Sequence, residues 1–381
     1  MYVGMTPNWK HFLTLSGLIL LLFVTCEYII YYVVITHCSW PKLTRDAVLD
    51  ETPLHAIFLA DPHLLGSRNG HWFDKLRREW QMERSFQSAV TLFAPEAVFV
   101  LGDLMDEGKW SSDEEFSATV SRFQKIFHQG RTGQTHVIMG NHDIGFHYRT
   151  NQHLIDRFER NFDVSAVNVI NIRDIIFVTV NSVAMENDHC PVCSEAAYRL
   201  TEVSKQLNCT RFGTATGKKG GEKLCNNYEK LPNVQPILLQ HYPLFRKNDA
   251  DCTGVDSAPP EEKYKEFKPN WDTVSKESSN KLLSYIQPRL VLSGHIHHGC
   301  YVVHNEKTAE ISIPSFSWRN RNNPSFIMMT ITSSEYVFSK CFLPEESSVI
   351  QMYFIGGICI ILWIAYTRNN FFTRSFRKYK K

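Results

Sequence analysis

Short apolar, β-branched segments recur along the middle of this chain, and most of them end on polar side chains. The segments are AIFLAD (56–61), AVFVLGD (97–103), HVIMGNHD (136–143), IIFVTVNS (175–182), PILLQHYP (236–243) and RLVLSGHIHH (289–298). Helical patterns lie between several of them, including 80–93 and 114–127. Strands joined by helical crossovers predict an α/β domain with a largely buried sheet. After Gly299 strand-like segments follow without helices, which predicts more sheet and an α/β sandwich.

The polar ends of five of these segments share one chemistry. A turn explains a Gly and an Asn at such a place, but not the His and Asp that follow in GNHD. In an α/β sheet, ligands bind beyond the carboxyl ends of the strands, so these side chains should meet at one edge. The residues are Asp61, His63, Asp103, Asp106, Asn141, His142, His241, His295 and His297.

Carboxylate, amide and imidazole groups without a thiolate suit Mn, Fe or Zn ions. The set is too large for one ion, and Asp103 is placed to bridge two. Two divalent ions ~3.5–4 Å apart can bind phosphate oxygens and activate water. The sequence therefore predicts a two-metal site that acts on phosphate esters.

The motifs DPH, GDLMDEG, GNHD, QHYP and GHIH resemble the five blocks of the calcineurin-like metallophosphoesterases, over roughly residues 54–330. The resemblance implies a four-layer α/β/β/α sandwich. It implies one ion held by Asp61, His63, Asp103 and His297, and a second held by Asp103, Asn141, His241 and His295. It also implies that His142 faces the leaving-group oxygen and that Asp106 orients it. The alternatives are a solvated turn carboxylate for Asp106 and a supporting hydrogen bond for His142.

The segment SFSWRNRNNPSF (315–326) and the apolar ends resemble a membrane-bound subgroup of that family. This implies removal of the ethanolamine-phosphate branch from the second mannose of glycosylphosphatidylinositol (GPI) anchors, with manganese, on GPI-anchored proteins. Arg319 and Arg321 are candidates for contacts to phosphate or sugar oxygens, and Trp318 for stacking on a sugar. Their alternatives are surface arginines and a core aromatic. The rival functions are a lumenal phosphatase on phosphoproteins or nucleotides, and a non-catalytic cargo receptor. We expect no nucleic-acid partner.

Two apolar segments, 12–35 and 349–366, are long enough to cross a ~30 Å hydrocarbon core. Basic residues follow the second, which predicts a cytosolic tail at 367–381, a cytosolic segment 1–11 and a lumenal domain at 36–348 with its core at 54–330. A cleaved signal peptide is the alternative to the first span; we favour an uncleaved anchor because no clear cleavage site follows. For Glu27, inside this span, we favour a protonated or snorkelling carboxylate over a polar contact to the second span.

A lumenal domain agrees with two further features. Asn208-Cys209-Thr210 is a glycosylation sequon. Eight cysteines, in the domain and at its membrane edge, can pair in an oxidising compartment, although the sequence does not give the pairing. Cys190-Pro-Val-Cys193 is compatible with a redox dithiol, a zinc half-site or a small structural disulfide; we favour the last, since no second CxxC exists.

The remaining expectations concern two loops and the location of the protein in the cell. The polar segment 246–279 follows His241 directly, which favours a role at the site, whereas 209–233 is as compatible with a surface insertion as with a lid. We expect residence in endoplasmic reticulum exit sites, the intermediate compartment and the Golgi. The ending KYKK departs from dilysine signals, yet we expect coat or cargo-receptor contacts through this tail in addition to its topological role.

Overall fold

The fold is described from a computed structural model. It covers residues 7–44, 52–130, 133–186, 188, 190–212, 225–226 and 228–379, without the side chains of 7–8 and 370–379. Most of the segment 209–233 and the last two lysines of the basic tail therefore lie outside the described residues.

The strands of the described residues form two sheets. The five-stranded sheet has the order β11-β10-β1-β2-β3, and the six-stranded sheet has the order β4-β5-β6-β7-β9-β8. In the first, β1, β2 and β3 are parallel; in the second, β5, β6, β7 and β9 are parallel. The strands are β1 Leu54–Leu59, β2 Ala97–Val100, β3 Gln134–Val137, β4 Val167–Ile172, β5 Ile175–Val180, β6 Ile237–Gln240, β7 Leu290–Ser293, β8 Cys300–His304, β9 Thr308–Ser312, β10 Ser325–Ile331 and β11 Tyr336–Phe342.

The two sheets pack face to face because alternate residues of their strands are apolar. Phe58 and Phe99 stack with ring centroids 4.9 Å apart, and Phe177 of the other sheet lies 4.7 Å from Phe99. A second core lies between the sheets and the helices on their outer faces. The helices of the domain are α1 Trp72–Phe93, α2 Asp113–Ile126, α3 Asn141–Ile144, α4 Gln152–Phe162, α5 Pro191–Phe212, α6 Pro260–Lys263 and α7 Lys276–Ile286.

This architecture confirms the predicted α/β/β/α sandwich. Each of the six apolar segments contains a strand, and both helical patterns lie in helices. The sequence did not reveal β4, where only Val167 of the strand is buried, or β11, which pairs with β10 at the sheet edge. Such half-exposed edge strands lack the continuous apolar pattern of buried parallel strands.

Disulfides fix several chain segments of the domain. They join Cys38 to Cys341, Cys190 to Cys193, Cys209 to Cys225, and Cys252 to Cys300. Asn208 of the sequon lies on α5 and is partly buried.

Two terminal helices are long and apolar enough to cross a membrane, Trp9–Ile35 and Glu346–Asn369. They contact each other and the domain. Tyr353 donates a hydrogen bond to the Glu27 carboxylate at 2.5 Å, inside a π-helical turn at Thr25–Ile29. The expectation for Glu27 was therefore wrong: it makes the polar contact to the second helix, which satisfies a carboxylate that is costly in lipid.

Candidate metal centre

The carboxyl ends of the parallel strands of both sheets meet at one edge, as the sequence predicts. Pairing between β1 and β2 continues past the strands, since His63 N–H donates to the Asp103 carbonyl at 3.0 Å. Two bonds then join the sheets: the His241 ring to the Leu101 carbonyl at 2.8 Å, and His295 N–H to the Asp61 carboxylate at 3.0 Å. We call the predicted ligands that meet there the rim: Asp61, His63, Asp103, Asn141, His241, His295 and His297.

The backbone of the rim is strained. Asp61, His63, Asp103, His295 and His297 have φ between 47° and 71°, a region that non-glycine residues rarely adopt. Each such conformation costs roughly 1–3 kcal/mol and persists only where the surroundings enforce it. Five of the thirteen such residues in the described chain are thus predicted ligands. The strain turns successive side chains inward, as a site with many converging ligands requires.

One half of the rim gathers Asp61, His63 and His297. The Nε2 atoms of His63 and His297 are 3.1 Å apart, and His297 Nε2 lies 3.8 Å from Asp61 Oδ1. His63 Nδ1 is 3.1 Å from the Asp106 carboxylate, which directs its Nε2 toward this space. Carboxylates that orient imidazoles in this way are typical supports of metal-binding histidines.

The other half gathers Asn141, His241 and His295. Asn141 Oδ1 lies 3.0 Å from His241 Nε2, and Asn141 Nδ2 is buried without a partner. His241 Nδ1 faces the Leu101 carbonyl, and His295 Nε2 faces the Trp271 carbonyl at 2.8 Å. These outer bonds leave His241 Nε2 and His295 Nδ1 for an ion.

Asp103 lies between the halves. Its Oδ2 is 3.4 Å from His63 Nε2 and 3.3 Å from His241 Nε2. Its Oδ1 accepts a hydrogen bond from His142 N–H at 2.7 Å. This is the position that a carboxylate bridging two ions needs. All seven predicted ligands are therefore brought together.

The charges of the rim fit divalent cations. Burial, together with the nearby Asp103 carboxylate and against the opposing effect of His241, raises the pKa of Asp61 to about 7. Burial would also raise the pKa of Asp103, but His241, His142 and His63 hold it well below its usual value. Burial lowers the pKa of His295 to about 3, so its imidazole stays neutral, as a metal ligand must be. Against the effect of burial, Asp103 and Asp61 raise the pKa of His241 to about 9. The rim thus combines buried carboxylates with imidazoles, the donors that a two-metal centre uses.

His142 lies at the open side of the rim, with 27% of its side chain exposed. Its Nδ1 lies 2.7 Å from the Asp106 carbonyl and 3.6 Å from the Asp106 carboxylate. Asp106 therefore holds His142 mainly through its backbone, while its carboxylate orients His63. With Nδ1 so engaged, Nε2 is the atom that can exchange a proton with a substrate. Burial lowers the pKa of His142.

The following Asp143 is a residue whose part the sequence did not reveal. Its buried carboxylate accepts from Gly140 N–H at 2.9 Å and from Met105 N–H at 3.0 Å. It thereby joins the loops that follow β2 and β3, which carry Asp103, Asn141 and His142. The Asp of GNHD thus braces the site, and its place directly after His142 was the only signal.

The three substrate-contact candidates have different outcomes. Arg319 reaches the site, 3.5 Å from the Asp106 carboxylate, with a partly exposed side chain. Arg321 instead donates to the His297 carbonyl at 2.8 Å, so it supports a rim residue. Trp318 is 5% exposed and packs with Cys26, Tyr31 and Val349 of the terminal helices. We therefore correct its assignment from sugar stacking to the core alternative.

A different tryptophan lines the pocket. The rim opens into a cavity of about 680 Å³, one wall of which comes from the segment 249–272. Trp271 of this wall is 52% exposed and stacks on Phe146, with ring centroids 4.3 Å apart and planes 17° apart. No periodicity marks Trp271 in the sequence; its signal was its place in the long polar loop after His241.

Comparison with known proteins agrees with this geometry. The family model described as calcineurin-like phosphoesterase matches residues 54–299. A protein of Gallus gallus named Metallophosphoesterase 1 is 51% identical, covering 90% of this chain and 86% of its own. Its namesake in Xenopus laevis is 50% identical, covering 92% and 89%. A solved dimetal phosphatase from Danio rerio has a TM-score of 0.46 at 10% identity, covering 77% of this chain and all of its own.

The family match covers β1 to β7 and all five motifs that supply the rim. Members of this family bind a dimetal centre and hydrolyse phosphate esters. The chain therefore belongs to the calcineurin-like phosphoesterases and is a metal-dependent phosphoester hydrolase.

Proposed function

We propose that this protein is a lumenal, membrane-anchored phosphodiesterase that removes the ethanolamine-phosphate branch from the second mannose of GPI anchors. Its action would aid the export of GPI-anchored proteins from the endoplasmic reticulum. The observation that carries the proposal is the pocket, where an exposed aromatic pair stands beside the rim. The similarity to proteins named Metallophosphoesterase 1 over about nine-tenths of the chain supports the same conclusion.

The pocket suits a substrate with a sugar on one side of the phosphate and an amine on the other. The Phe146–Trp271 stack offers an apolar face on which a sugar ring can pack. In the wall of the cavity the carboxylates of Asp249, Glu262, Glu266 and Asp272 outnumber the ammonium groups of Lys265 and Lys268, which suits an amine-bearing substrate. Its volume of about 680 Å³ admits more than an isolated phosphate.

The rim would hold two divalent ions, in the two ligand sets that share Asp103. When bound, such ions supply positive charge for the phosphate oxygens and acidify water for attack on phosphorus. We favour Mn²⁺, while Zn²⁺ and Fe are compatible with the same donors. His142, fixed through Nδ1, would present Nε2 to the departing mannose oxygen and, in its imidazolium form, donate a proton there; Arg319 lies within reach of the phosphate.

Contacts between the domain and the terminal helices support action on a membrane-bound substrate. Arg77 of α1 pairs with Glu346 at the start of the second terminal helix, with 2.6 Å between the charged atoms. Trp80 of the same helix donates to the Glu27 carbonyl at 3.2 Å. These contacts fix the domain against both terminal helices, which suits a substrate whose glycan is itself anchored in the bilayer.

Mass spectrometry of GPI glycans tests the substrate. Cells that lack the protein should accumulate glycans with ethanolamine phosphate on the second mannose. Re-expression of the wild-type chain should remove it, and the Asp103→Ala variant should not. If the glycans of the deleted cells match those of the parent, the GPI assignment is wrong. Hydrolysis of nucleotides or phosphopeptides by the purified protein would then favour the rival phosphatase.

Protease protection tests the orientation. In sealed microsomes the middle domain should resist added protease, and detergent should make it sensitive. Removal of an N-linked glycan at Asn208 would shift the protein on a gel and support the same topology. A domain that is cleaved in sealed microsomes would contradict the lumenal assignment, whatever the state of Asn208.

A further inference from the structure

A second group of reactive side chains lies outside the metal pocket. Cys190, Pro191, Val192 and Cys193 stand at the start of α5, and the two cysteines form a disulfide. We call these four residues the CPVC motif. The buried side chain of His147 and the carboxylate of Asp188 complete the group.

The two sulfur atoms differ in exposure. Cys190 is partly exposed, whereas Cys193 is 3% exposed. Cys193 N–H, in the first turn of a 22-residue helix, donates to Cys190 Sγ at 3.1 Å. A helix N-terminus and a backbone donor both stabilise a thiolate. One sulfur is thus open to attack and supported as an anion, while its partner is shielded.

His147 lies on the buried side of the disulfide. It is 4% exposed; its Nε2 lies 2.6 Å from the Asp188 carboxylate and its Nδ1 3.0 Å from the Val183 carbonyl. Both ring nitrogens face acceptor oxygens, which fixes the orientation of the ring. Its Nδ1 is also 3.9 Å from Cys193 Sγ. A ring N–H at that distance stabilises Cys193 as a leaving thiolate.

Comparison with two other disulfides argues against a purely structural role. Cys38–Cys341 spans 303 residues and Cys252–Cys300 spans 48, so both constrain long loops of the unfolded chain. The CPVC disulfide spans three residues. Because the entropy that a disulfide removes from the unfolded chain grows with loop length, this bond contributes least to stability. Closing so short a loop does not require the hydrogen-bonded His147 and Asp188 that lie around the disulfide.

We propose that the CPVC motif is a redox-active disulfide that exchanges with a dithiol. A thiolate of the dithiol attacks Cys190 Sγ, the bond to Cys193 breaks, and Cys193 leaves as a thiolate beside His147. The second thiol of the dithiol then attacks the dithiol's own sulfur in the mixed disulfide, which forms the new disulfide and releases Cys190. Two electrons and two protons pass from the dithiol to the cysteine pair, and the dithiol becomes a disulfide. The motif is therefore a site of exchange with cysteine-containing partners, separate from the phosphoesterase centre.

Reductive titration of the full-length protein in detergent tests this proposal. Samples equilibrated with rising dithiothreitol are alkylated, and the cysteine peptides are quantified by mass spectrometry. Cys190 and Cys193 should become alkylated at about tenfold lower reductant than Cys252 and Cys300 or Cys38 and Cys341. If the CPVC disulfide opens only together with these two, it is structural and the proposal fails.

Two matched variants test the assigned roles of the sulfurs. In Cys193→Ser the free Cys190 should react with an aromatic disulfide reagent about tenfold faster than the free Cys193 of Cys190→Ser. In Asp188→Asn the CPVC disulfide should be reduced more slowly than in the wild-type protein, because His147 loses part of its hydrogen-bonded support. The control Asp163→Asn, at the exposed end of α4, should not slow this reduction. Equal, slow reactivity of the two single cysteines would overturn the proposal even where Asp188→Asn fails to fold.

Discussion

The rim and the wall of the same pocket are built in opposite ways. The rim consists of side chains at the ends of buried strands, on a backbone forced into positive φ. The wall, residues 249–272, is a loop whose most prominent side chain, Trp271, is half-exposed. The packing of the two sheets therefore fixes the geometry of the rim, whereas only a few contacts to the rest of the domain hold the wall in place. The comparison suggests that the rim determines the reaction and the wall selects the substrate.

The largest effect should come from the centre of the rim. Asp103→Ala should abolish turnover, because this one carboxylate lies 3.4 Å and 3.3 Å from histidines of the two halves. We expect the purified variant to lose bound metal in elemental analysis while its circular dichroism spectrum stays that of a folded domain. Asp156→Ala, which removes a carboxylate of α4 outside the rim, should retain both properties. Substantial activity in Asp103→Ala would refute the two-metal assignment.

His142→Ala should reduce turnover by about 10²–10⁴-fold, the usual contribution of a general acid. Its Nδ1 contacts the Asp106 carbonyl rather than any predicted ligand side chain, so metal content should stay near the wild-type value. Turnover of an aryl phosphodiester and elemental analysis of the same sample measure the two quantities. A variant that loses one ion would show that His142 ligates or supports a ligand.

These two variants test what the sequence predicted well. The rim was predictable because parallel strands bring their carboxyl ends to one edge, so DPH, GNHD and GHIH had to meet there. The positive φ values of its residues were not predictable, because they fall on Asp and His rather than on glycine, which is the usual sequence signal for this region. The split role of Asp106, carboxylate to His63 and carbonyl to His142, depends on the same tertiary detail.

The wall shows where sequence patterns fail. A single tryptophan in a polar segment belongs to no periodic pattern. Nothing in the sequence therefore favoured Trp271 as a pocket residue over Trp318, which lies in the motif that resembles the family. The fold distinguishes the two: Trp271 stacks on Phe146 beside the rim, and Trp318 packs against the terminal helices. The contact between Glu27 and Tyr353 was missed for the same reason, since residues 326 positions apart leave no local trace.

The wall should respond in binding rather than in chemistry. Trp271→Ala should raise the KM for a GPI glycan by up to about tenfold, the scale of an aromatic contact worth ~0.5–1.5 kcal/mol. Trp271→Phe should recover most of the loss, since it restores an aromatic face. Tyr264→Ala, an exposed aromatic of the same wall that does not line the pocket, is the control. A fall in kcat with an unchanged KM would place Trp271 in the chemical step instead.

The smallest effect should come from an ion pair that holds the wall to the rest of the domain. Asp256 is 1% exposed and accepts two bonds from Lys340 Nζ of β11, at 2.6 and 2.8 Å. Lys340→Met leaves that carboxylate buried without its cation, a local cost of roughly 1.5–3 kcal/mol. The Cys252–Cys300 disulfide still joins the wall to β8, so we expect local loosening and not global unfolding.

Hydrogen exchange measures that loosening directly. Amides that bond to wall carbonyls, including those of Cys252 and Gly299, should exchange faster in Lys340→Met, while those of β1 and β2 keep their wild-type rates. The KM for the glycan should rise only a few-fold, because the rim is untouched and Trp271 still has Phe146 beneath it. Lys307→Met, an exposed lysine in the turn between β8 and β9, controls for loss of charge alone. Faster exchange throughout the first sheet would contradict the separation of wall from rim, because it would show that both depend on one cooperative unit.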